Sequence, residues 1–265
     1  MLHLLEEGTE AIERFAREPC PLLVLDFDGT IAPFAPTPQA ARIDPSAEAA
    51  LRRLTVGSRA PAARLRVGVA SGRRIEELRR LLPPLDFWIG LHGLELAFGE
   101  GPSRLRFDPR QSDRALDRIR GRLGEAVSHG GRVEDKHHSI ALHVRGLEPA
   151  RLRGEAIAAF ERLIDSERAA GALLECLHGH FVVEARPTGA GKHLAIADVQ
   201  RHFGGAALGF VGDDVTDEDV FRAFPRELTV VVMDPPRASD ARYYVRSPRE
   251  TVVLLARLAE IYDGR

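Results

Sequence analysis

Asp26 and Asp28 stand two residues apart at the end of the run Leu-Leu-Val-Leu-Asp-Phe-Asp-Gly-Thr, residues 22–30. In a strand, residues i and i+2 point to the same side, so both carboxylates face one place where the strand gives way to a loop. Two acids that close repel each other unless a cation or a shared proton relieves them. A bound Mg2+ and a phosphate substrate would do so. Three more pieces lie further along the chain: Ser71, Lys192 and the pair Asp213/Asp214. A carboxylate can attack phosphorus and form an acyl phosphate. The transferring group carries negative charge on three oxygens and needs a metal and a lysine around it. A hydroxyl and backbone N–H groups at a strand-to-helix turn can hold a phosphoryl oxygen. Mg2+ takes hard oxygen ligands, and Asp26, the backbone carbonyl of Asp28 and Asp213 are candidates. Taken singly, Asp-x-Asp reads as a solvated turn and Asp-Asp as a helix cap. Four such pieces in order, each at the end of an element, do not.

Those pieces need a scaffold, and the apolar pattern supplies one. Strands are expected at Leu22–Phe27, Leu65–Ala70 and Phe87–Leu91, with a hairpin partner at Leu94–Phe98. A helix is expected from Ser46, as its N-cap, to Leu54, and another runs from after Arg73 to Leu82. Met1–Glu18 reads as an amphipathic helix. This rhythm argues for a parallel sheet with helices on both faces. After residue 105 the periodicity changes. Helix Asp113–Val127, strands Arg132–Lys136 and Ser139–Arg145, helix Pro149–Ala170 and a hairpin of Leu173–Leu177 with Phe181–Ala185 give an αββαββ order. That suits helices on one face of a small antiparallel sheet. From residue 188 the first rhythm returns, through helix Gly191–Phe203, strands Leu208–Val211, Leu228–Met233 and Tyr243–Val245, and a closing helix from Pro248. The expected fold class is therefore α/β. Residues 1–105 and 188–265 form a Rossmann-like parallel-sheet core, and 106–187 form an inserted α+β domain.

Composition narrows the function classes. The 265 residues are 44% hydrophobic and 29% charged, ordinary for a globular chain. A formal charge of −2 without a basic run gives no nucleic-acid footprint. No apolar run approaches the roughly twenty residues that span a bilayer, and the first residues lack a signal peptide's basic start and continuous apolar core. A cytoplasmic protein with no nucleic-acid or membrane partner is expected. Cys20 and Cys176 match no metal or redox spacing and read as reduced thiols. His178 and His180 share a side if extended, but no third ligand is evident, so the pair reads as a turn without metal. Gly189-Ala190-Gly191-Lys192 is not a nucleotide-binding P-loop: Arg186 stands where the first glycine belongs and His193 where Ser or Thr belongs. Trp88, the single tryptophan, sits in an expected strand and reads as core.

These pieces resemble the four motifs of haloacid-dehalogenase (HAD) superfamily phosphatases, and within that superfamily the chain is similar to trehalose-6-phosphate phosphatases. Asp26-Phe27-Asp28-Gly29-Thr30 matches the first motif and Ala70-Ser71-Gly72-Arg73 the second. Lys192 matches the third and Gly212-Asp213-Asp214-Val215-Thr216-Asp217-Glu218 the fourth. The resemblance implies that Asp26 is the nucleophile. Asp28 would protonate the leaving oxygen and then deprotonate the attacking water. Thr30 would support the loop, and Ser71 and Lys192 would grip the phosphoryl group. Mg2+ is the implied cofactor, with Asp26, Asp28 and Asp213 as ligands and Asp214 and Asp217 in support. One departure stands out: His193 follows Lys192 where glycine is common in the family.

The inserted segment resembles the lid-like cap of sugar phosphatases. Val133-Glu134-Asp135-Lys136 with Ser139, His143 and Arg145, and Glu184-Ala185-Arg186-Pro187, match the trehalose-phosphatase pattern, as does Gly90-Leu91-His92-Gly93-Leu94-Glu95 of the core. The expected substrate-binding residues are Arg73, His92, Lys136, Arg145 and Glu184. The expected partner is a small-molecule sugar phosphate, with functional coupling to a trehalose-6-phosphate synthase. Phosphatases of sucrose, mannosylglycerate or glucosylglycerate phosphates, a phosphomutase, and a non-catalytic partner of a synthase complex are the alternatives.

Overall fold

The computed structural model describes residues 1–56, 65–128, 130–179 and 181–264. They separate into two compact units, one of Met1–Arg106 with Gly191–Arg265 and one of Phe107–Ala190. In chain order the first unit begins with β1 (Leu2–His3), α1 (Thr9–Arg17), β2 (Leu22–Leu25), α2 (Pro45–Val56) and β3 (Arg66–Ala70). It continues with α3 (Ile75–Leu81), β4 (Phe87–Gly90), β5 (Glu95–Phe98) and β6 (Arg104–Leu105). The second unit holds α4 (Arg110–Arg120), α5 (Leu123–Val127), β7 (Arg132–Asp135), β8 (Ile140–His143), α6 (Ala150–Ala169), β9 (Leu174–Gly179) and β10 (Val182–Pro187). The first unit then resumes with α7 (Lys192–His202), β11 (Leu208–Gly212), α8 (Glu218–Ala223), β12 (Leu228–Val232), β13 (Tyr243–Val245) and α9 (Pro248–Asp263).

The first unit is an α/β core around a sheet ordered β1-β13-β12-β11-β2-β3-β4-β5-β6. Pairing is parallel from β1 to β4, and β5 and β6 are antiparallel additions. The four residues of β2 are all buried because the sheet is covered on both sides. Alternation sends Leu23 and Leu25 into one apolar layer with Ile12 and Phe15 of α1, Leu51 of α2 and Leu254 of α9. Leu22 and Val24 enter the opposite layer with Ile196 of α7 and Phe221 of α8. Trp88 is buried, and its indole N–H donates to the Gly99 carbonyl at 2.9 Å. Strand order reverses at β2, which lies between β11 and β3. A crevice opens beyond the carboxyl ends of the strands at such a switch point, and ligands of open α/β sheets bind there.

In the second unit β7, β8, β10 and β9 form, in that order, an antiparallel sheet. Ile140 and Leu142 of β8 and Val183 and Ala185 of β10 pack with Leu116 of α4 and Phe160 and Leu163 of α6. The alternate residues of the same strands form a polar face.

Three local expectations give way. Residues 1–18 are not one helix: Leu2 and His3 pair in parallel with Tyr243 and Tyr244, and α1 starts only at Thr9. The expected helix Asp113–Val127 is two, α4 and α5, because Gly121 ends the first and glycine is a weak helix former. Ser46 lies inside α2, and Asp44 is the residue whose side chain accepts the first-turn amide, from Ser46 at 2.7 Å. No described helix is long and apolar enough to cross a membrane.

Candidate active site

Asp26 directly follows β2, and Asp213 directly follows the adjacent β11. The Asp26 N–H still donates to Val211 at 2.8 Å, so the ladder delivers this carboxylate to the rim of the sheet in a fixed position. The loop after it turns through Gly29 at φ 83°, where a Cβ would lie 2.3 Å from Asp213 Oδ2. Only glycine lets the Asp213 carboxylate lie against that loop. Thr30 fastens the same carboxylate, its hydroxyl donating to Asp213 Oδ1 at 3.0 Å. Arg237, in the loop after β12, donates to the Asp213 carbonyl at 3.0 Å.

Lys192 opens α7 and is buried, with its ammonium donating to Asp26 Oδ1 at 2.9 Å and to Asp217 Oδ1 at 2.7 Å. The second oxygen of Asp217 accepts the N–H groups of Asp213 and Asp214, at 3.0 and 3.1 Å. Both Asp217 oxygens are thus engaged in holding the Gly212–Asp214 turn and the lysine. Asp214 faces elsewhere: its side chain accepts from Val215 N at 2.7 Å and caps the short helical turn that leads into α8.

Asp26, Asp213 and Asp217 bring carboxylate oxygens within 4.8 Å of one another. Among the described residues, Lys192 is the cation at hydrogen-bond distance from these carboxylates. Burial pushes the Asp26 carboxyl up to about 7, and the Asp217 and Asp28 charges add to the rise against the pull of Lys192. Burial, together with Asp26, Asp217 and Asp214, likewise holds the Asp213 carboxyl well above its ordinary value. Burial pulls the Lys192 ammonium down, but Asp217 and Asp26 outweigh it and the ammonium is held above its ordinary value. One ammonium beside three carboxylates, two of them buried, leaves a deficit of positive charge. The hard oxygen donors present fit a divalent cation such as Mg2+. With Asp217 already committed, Asp26 and Asp213 are the carboxylates best able to hold it.

Around this cluster lie the other first-unit residues singled out in the sequence. Asp28 is gripped by the Arg73 fork, Nε to Oδ2 and one terminal nitrogen to Oδ1, both at 2.7 Å. The guanidinium lies 5.1 Å from the centre of the Phe27 ring, so an aromatic face and a carboxylate together orient it. Ser71, just past β3, is buried and its hydroxyl accepts from Arg73 N at 3.3 Å. His92 donates its backbone N–H to the Ser71 carbonyl at 3.0 Å and adopts φ 52°, an uncommon conformation for a side-chain-bearing residue. Its imidazole lies over Gly72, where a Cβ would come within 2.4 Å of Nε2. The first unit thus gathers Asp26, Asp28, Thr30, Ser71, Arg73, His92, Lys192, Asp213 and Asp217 around the switch point, with Asp214 turned to its capping role. Arg237 carries no motif signal; a cation in a loop at the same rim is the only hint the sequence offers.

In the second unit, strand register sorts the remaining candidates. Glu134 and Glu184 each pair with Ala141 on the strand between them, so the three share one face. Lys136 donates to Glu184 Oε2 at 2.9 Å, His143 meets Glu134 at 2.7 Å, and Arg186 Nε donates to Glu175 at 2.7 Å. Register places Arg145 at the other end of the β7–β8 pair. It lies two residues past the His143 end of β8, whereas Lys136 lies past the opposite end of β7, and its guanidinium sits 6.0 Å from the Phe181 ring centre. On the other face of β9, Cys176 and His178 meet Glu161 of α6, while His180 lies outside the described residues.

Residues 24–249 match the family model described as trehalose-phosphatase. The chain belongs to the trehalose-phosphatase family. It is 33% identical over 258 residues to a trehalose-phosphate phosphatase of Mycolicibacterium paratuberculosis, covering 91% of this chain and 62% of that protein. It is 31% identical over 246 residues to a probable trehalose-phosphate phosphatase of Sinorhizobium fredii, covering 89% of this chain and 87% of that one. The chain therefore spans about three-fifths of the mycobacterial relative's length and most of the rhizobial one's. In structure it is similar to the C-terminal domain of the C. albicans trehalose-6-phosphate phosphatase, with a TM-score of 0.81 at 18% identity over 96% of this chain and 98% of that one. That likeness is one of fold, and the fold is that of the HAD phosphatases. The trehalose-phosphatase match takes in the rim residues from Asp26 to Asp217 and the polar sheet of the second unit.

Proposed function

We propose that this chain hydrolyses trehalose 6-phosphate to trehalose and phosphate, with Mg2+ as cofactor. The observation that carries the reading is the cluster of Asp26, Asp213 and Lys192 at the switch point, too poor in positive charge to stand alone, in a chain of this family. Asp26 and Asp213 would hold the cation, with the Asp28 carbonyl as a further donor. When bound, the ion neutralises phosphoryl charge that Lys192 alone cannot. Asp217 supports the site indirectly by fixing Lys192 and the Gly212–Asp214 turn.

Lys192 and the ladder bond from the Asp26 amide fix the nucleophile's orientation. An Asp26 oxygen attacks phosphorus, and the bond from phosphorus to the sugar oxygen breaks as the aspartyl-phosphate forms. Asp28 gives its proton to that leaving oxygen. For this, the Arg73 fork must release an Asp28 oxygen, because both oxygens are occupied by its N–H groups. Asp28 then takes a proton from the water that attacks the aspartyl-phosphate, which releases phosphate and restores Asp26. Ser71 is suited to hold a phosphoryl oxygen through its hydroxyl, with His92 positioned beside it.

The polar sheet face of the second unit supports a hydroxyl-rich substrate. Buried Glu184 accepts hydrogen bonds strongly, and Lys136 beside it donates. We assign sugar recognition to this pair and give Arg145 no part in it. Trehalose 6-phosphate would be supplied by a glycosyl-transferring synthase. Because a charged sugar phosphate does not cross a membrane, the cytoplasm is the compartment that fits. The deciding assay is phosphate release from a panel of trehalose, sucrose and glycerate-linked sugar phosphates with Mg2+. Preferred turnover of trehalose 6-phosphate is expected. Preferred turnover of another member would overturn the substrate while leaving the chemistry, and no release from any member would overturn both.

A further inference from the structure

We propose that Glu161, Cys176 and His178 form a second metal site, of the zinc class, that ties α6 to the edge strand β9. The period of a strand puts Cys176 and His178 on one side. Their cross-strand partners, Ala185 and Val183, are core residues, so that side is the one covered by helix. α6 packs there, and Glu161 follows Phe160 of the same core at the point where the helix passes β9. The strand and the helix thereby aim a thiol, an imidazole and a carboxylate at one point, and their ligand atoms all lie within 4.8 Å of one another.

The spacing suits a small tetrahedral ion. His178 Nε2 lies 3.0 Å from Glu161 Oε1 and 3.7 Å from Cys176 Sγ. Zinc bonds of about 2.3 Å to sulfur and about 2.0–2.2 Å to nitrogen and oxygen give tetrahedral edges of roughly 3.4–3.5 Å. These two separations fall on either side of that edge. The donors also discriminate between metals: thiolate and imidazole favour zinc-class ions, whereas Mg2+ prefers the all-oxygen set formed by Asp26 and Asp213. Three protein ligands leave a fourth position, and the half-exposed His178 side chain leaves water access to it. On binding, the thiol S–H breaks, sulfur bonds the metal and the proton leaves to solvent. The imidazole presents Nε2 and carries its proton on Nδ1.

Such an ion would clamp the β9–β10 hairpin, the element that carries Glu184, to the longest helix of its unit. The inference stands on the second unit alone and does not depend on the proposed reaction.

The test is a cobalt titration of the EDTA-stripped full chain, followed by optical absorption. A thiolate-to-cobalt charge-transfer band is expected, saturating at one ion per chain, displaced by Zn2+ and untouched by excess Mg2+. The Cys176→Ser variant should lose it and Cys20→Ser should keep it. His178→Ala alters a half-exposed side chain and keeps the test valid if Cys176→Ser fails to fold. It should weaken cobalt binding by at least about tenfold, a loss that even an outer-sphere change at a metal site produces. Absence of the band, its persistence in Cys176→Ser, or its loss in Cys20→Ser overturns the site.

Discussion

The rim of the parallel sheet and the polar face of the smaller sheet both set lysine against buried glutamate or aspartate, yet their charge balance differs. At the rim, one ammonium serves Asp26 and Asp217, and among the described residues a threonine hydroxyl is the hydrogen-bond donor on the Asp213 carboxylate. On the smaller sheet, Glu184, Glu134 and Glu175 each have a lysine, histidine or arginine at hydrogen-bond distance. A buried surplus of carboxylates stores repulsion that a cation relieves, which suits a site for a metal and a phosphoryl group. A set of carboxylates that each face a cationic or imidazole partner stores less repulsion and exchanges partners with neutral hydroxyls at little electrostatic cost. The first arrangement fits chemistry and the second fits recognition.

The sharpest way to break that contrast is Asp26→Asn. The amide keeps the shape and removes the nucleophile, and turnover of sugar phosphate should fall by at least about 10^4-fold. Measured phosphate release within tenfold of the parent would end the covalent reading. Lys192→Met should come next. It leaves Asp26 and Asp217 buried without their ammonium, which costs about 3–5 kcal/mol when such a pair is broken. Chemical denaturation of the metal-stripped protein would record that cost. A loss under 1 kcal/mol would mean that the rim is not short of positive charge.

The same deficit fixes a pH dependence. The folded carboxyl of Asp26 is raised from 3.8 to about 7, so between these values the native state holds a proton that the unfolded chain has released. Stability of the metal-stripped protein from this group therefore falls as pH rises through that window, and the full cost is present above about 7. The raised Asp213 carboxyl acts in the same sense. Mg2+ competes with those protons, so it should raise the melting temperature far more at pH 8 than at pH 5.5. Equal shifts at both values would remove the link between the carboxylate surplus and the metal.

The sequence made the rim easier to read than the cap-like unit, for a physical reason. A parallel sheet delivers residues to one rim at the carboxyl ends of its strands, so Asp26, Ser71 and Asp213 announce themselves as polar residues that end apolar runs. Division of labour inside the acidic motif was not legible. Asp214 and Asp217 look alike in the string, but one caps a helical turn and the other lies fully buried between Lys192 and two backbone amides. Local competition misled at the N-terminus, where two residues suffice to add a strand to β13 although the stretch around them has a helical pattern. Glu161 was invisible beside Cys176 and His178 because helix-to-strand packing is non-local; the alternate spacing of Cys and His was the only available clue.

The polar sheet offers the smaller effects. Glu184→Gln keeps the volume, withdraws the charge that faces Lys136 and weakens a strong acceptor. Loss of one such bond should raise KM for trehalose 6-phosphate by about tenfold with kcat nearly unchanged. An equal fall in kcat would move Glu184 from recognition to chemistry. Arg145→Ala provides the lower bound of the comparison. Lys136 and Arg145 have the same charge and lie within one hairpin, so proximity in sequence predicts similar losses. Register predicts otherwise, because Arg145 lies past the other end of the β7–β8 pair and packs against Phe181. Its removal should change kcat/KM by no more than about twofold, roughly the 0.5 kcal/mol of a substitution away from the recognition pair. A tenfold loss would mean that the sugar reaches the far end of β8, and the recognition face would then have to extend along the whole strand.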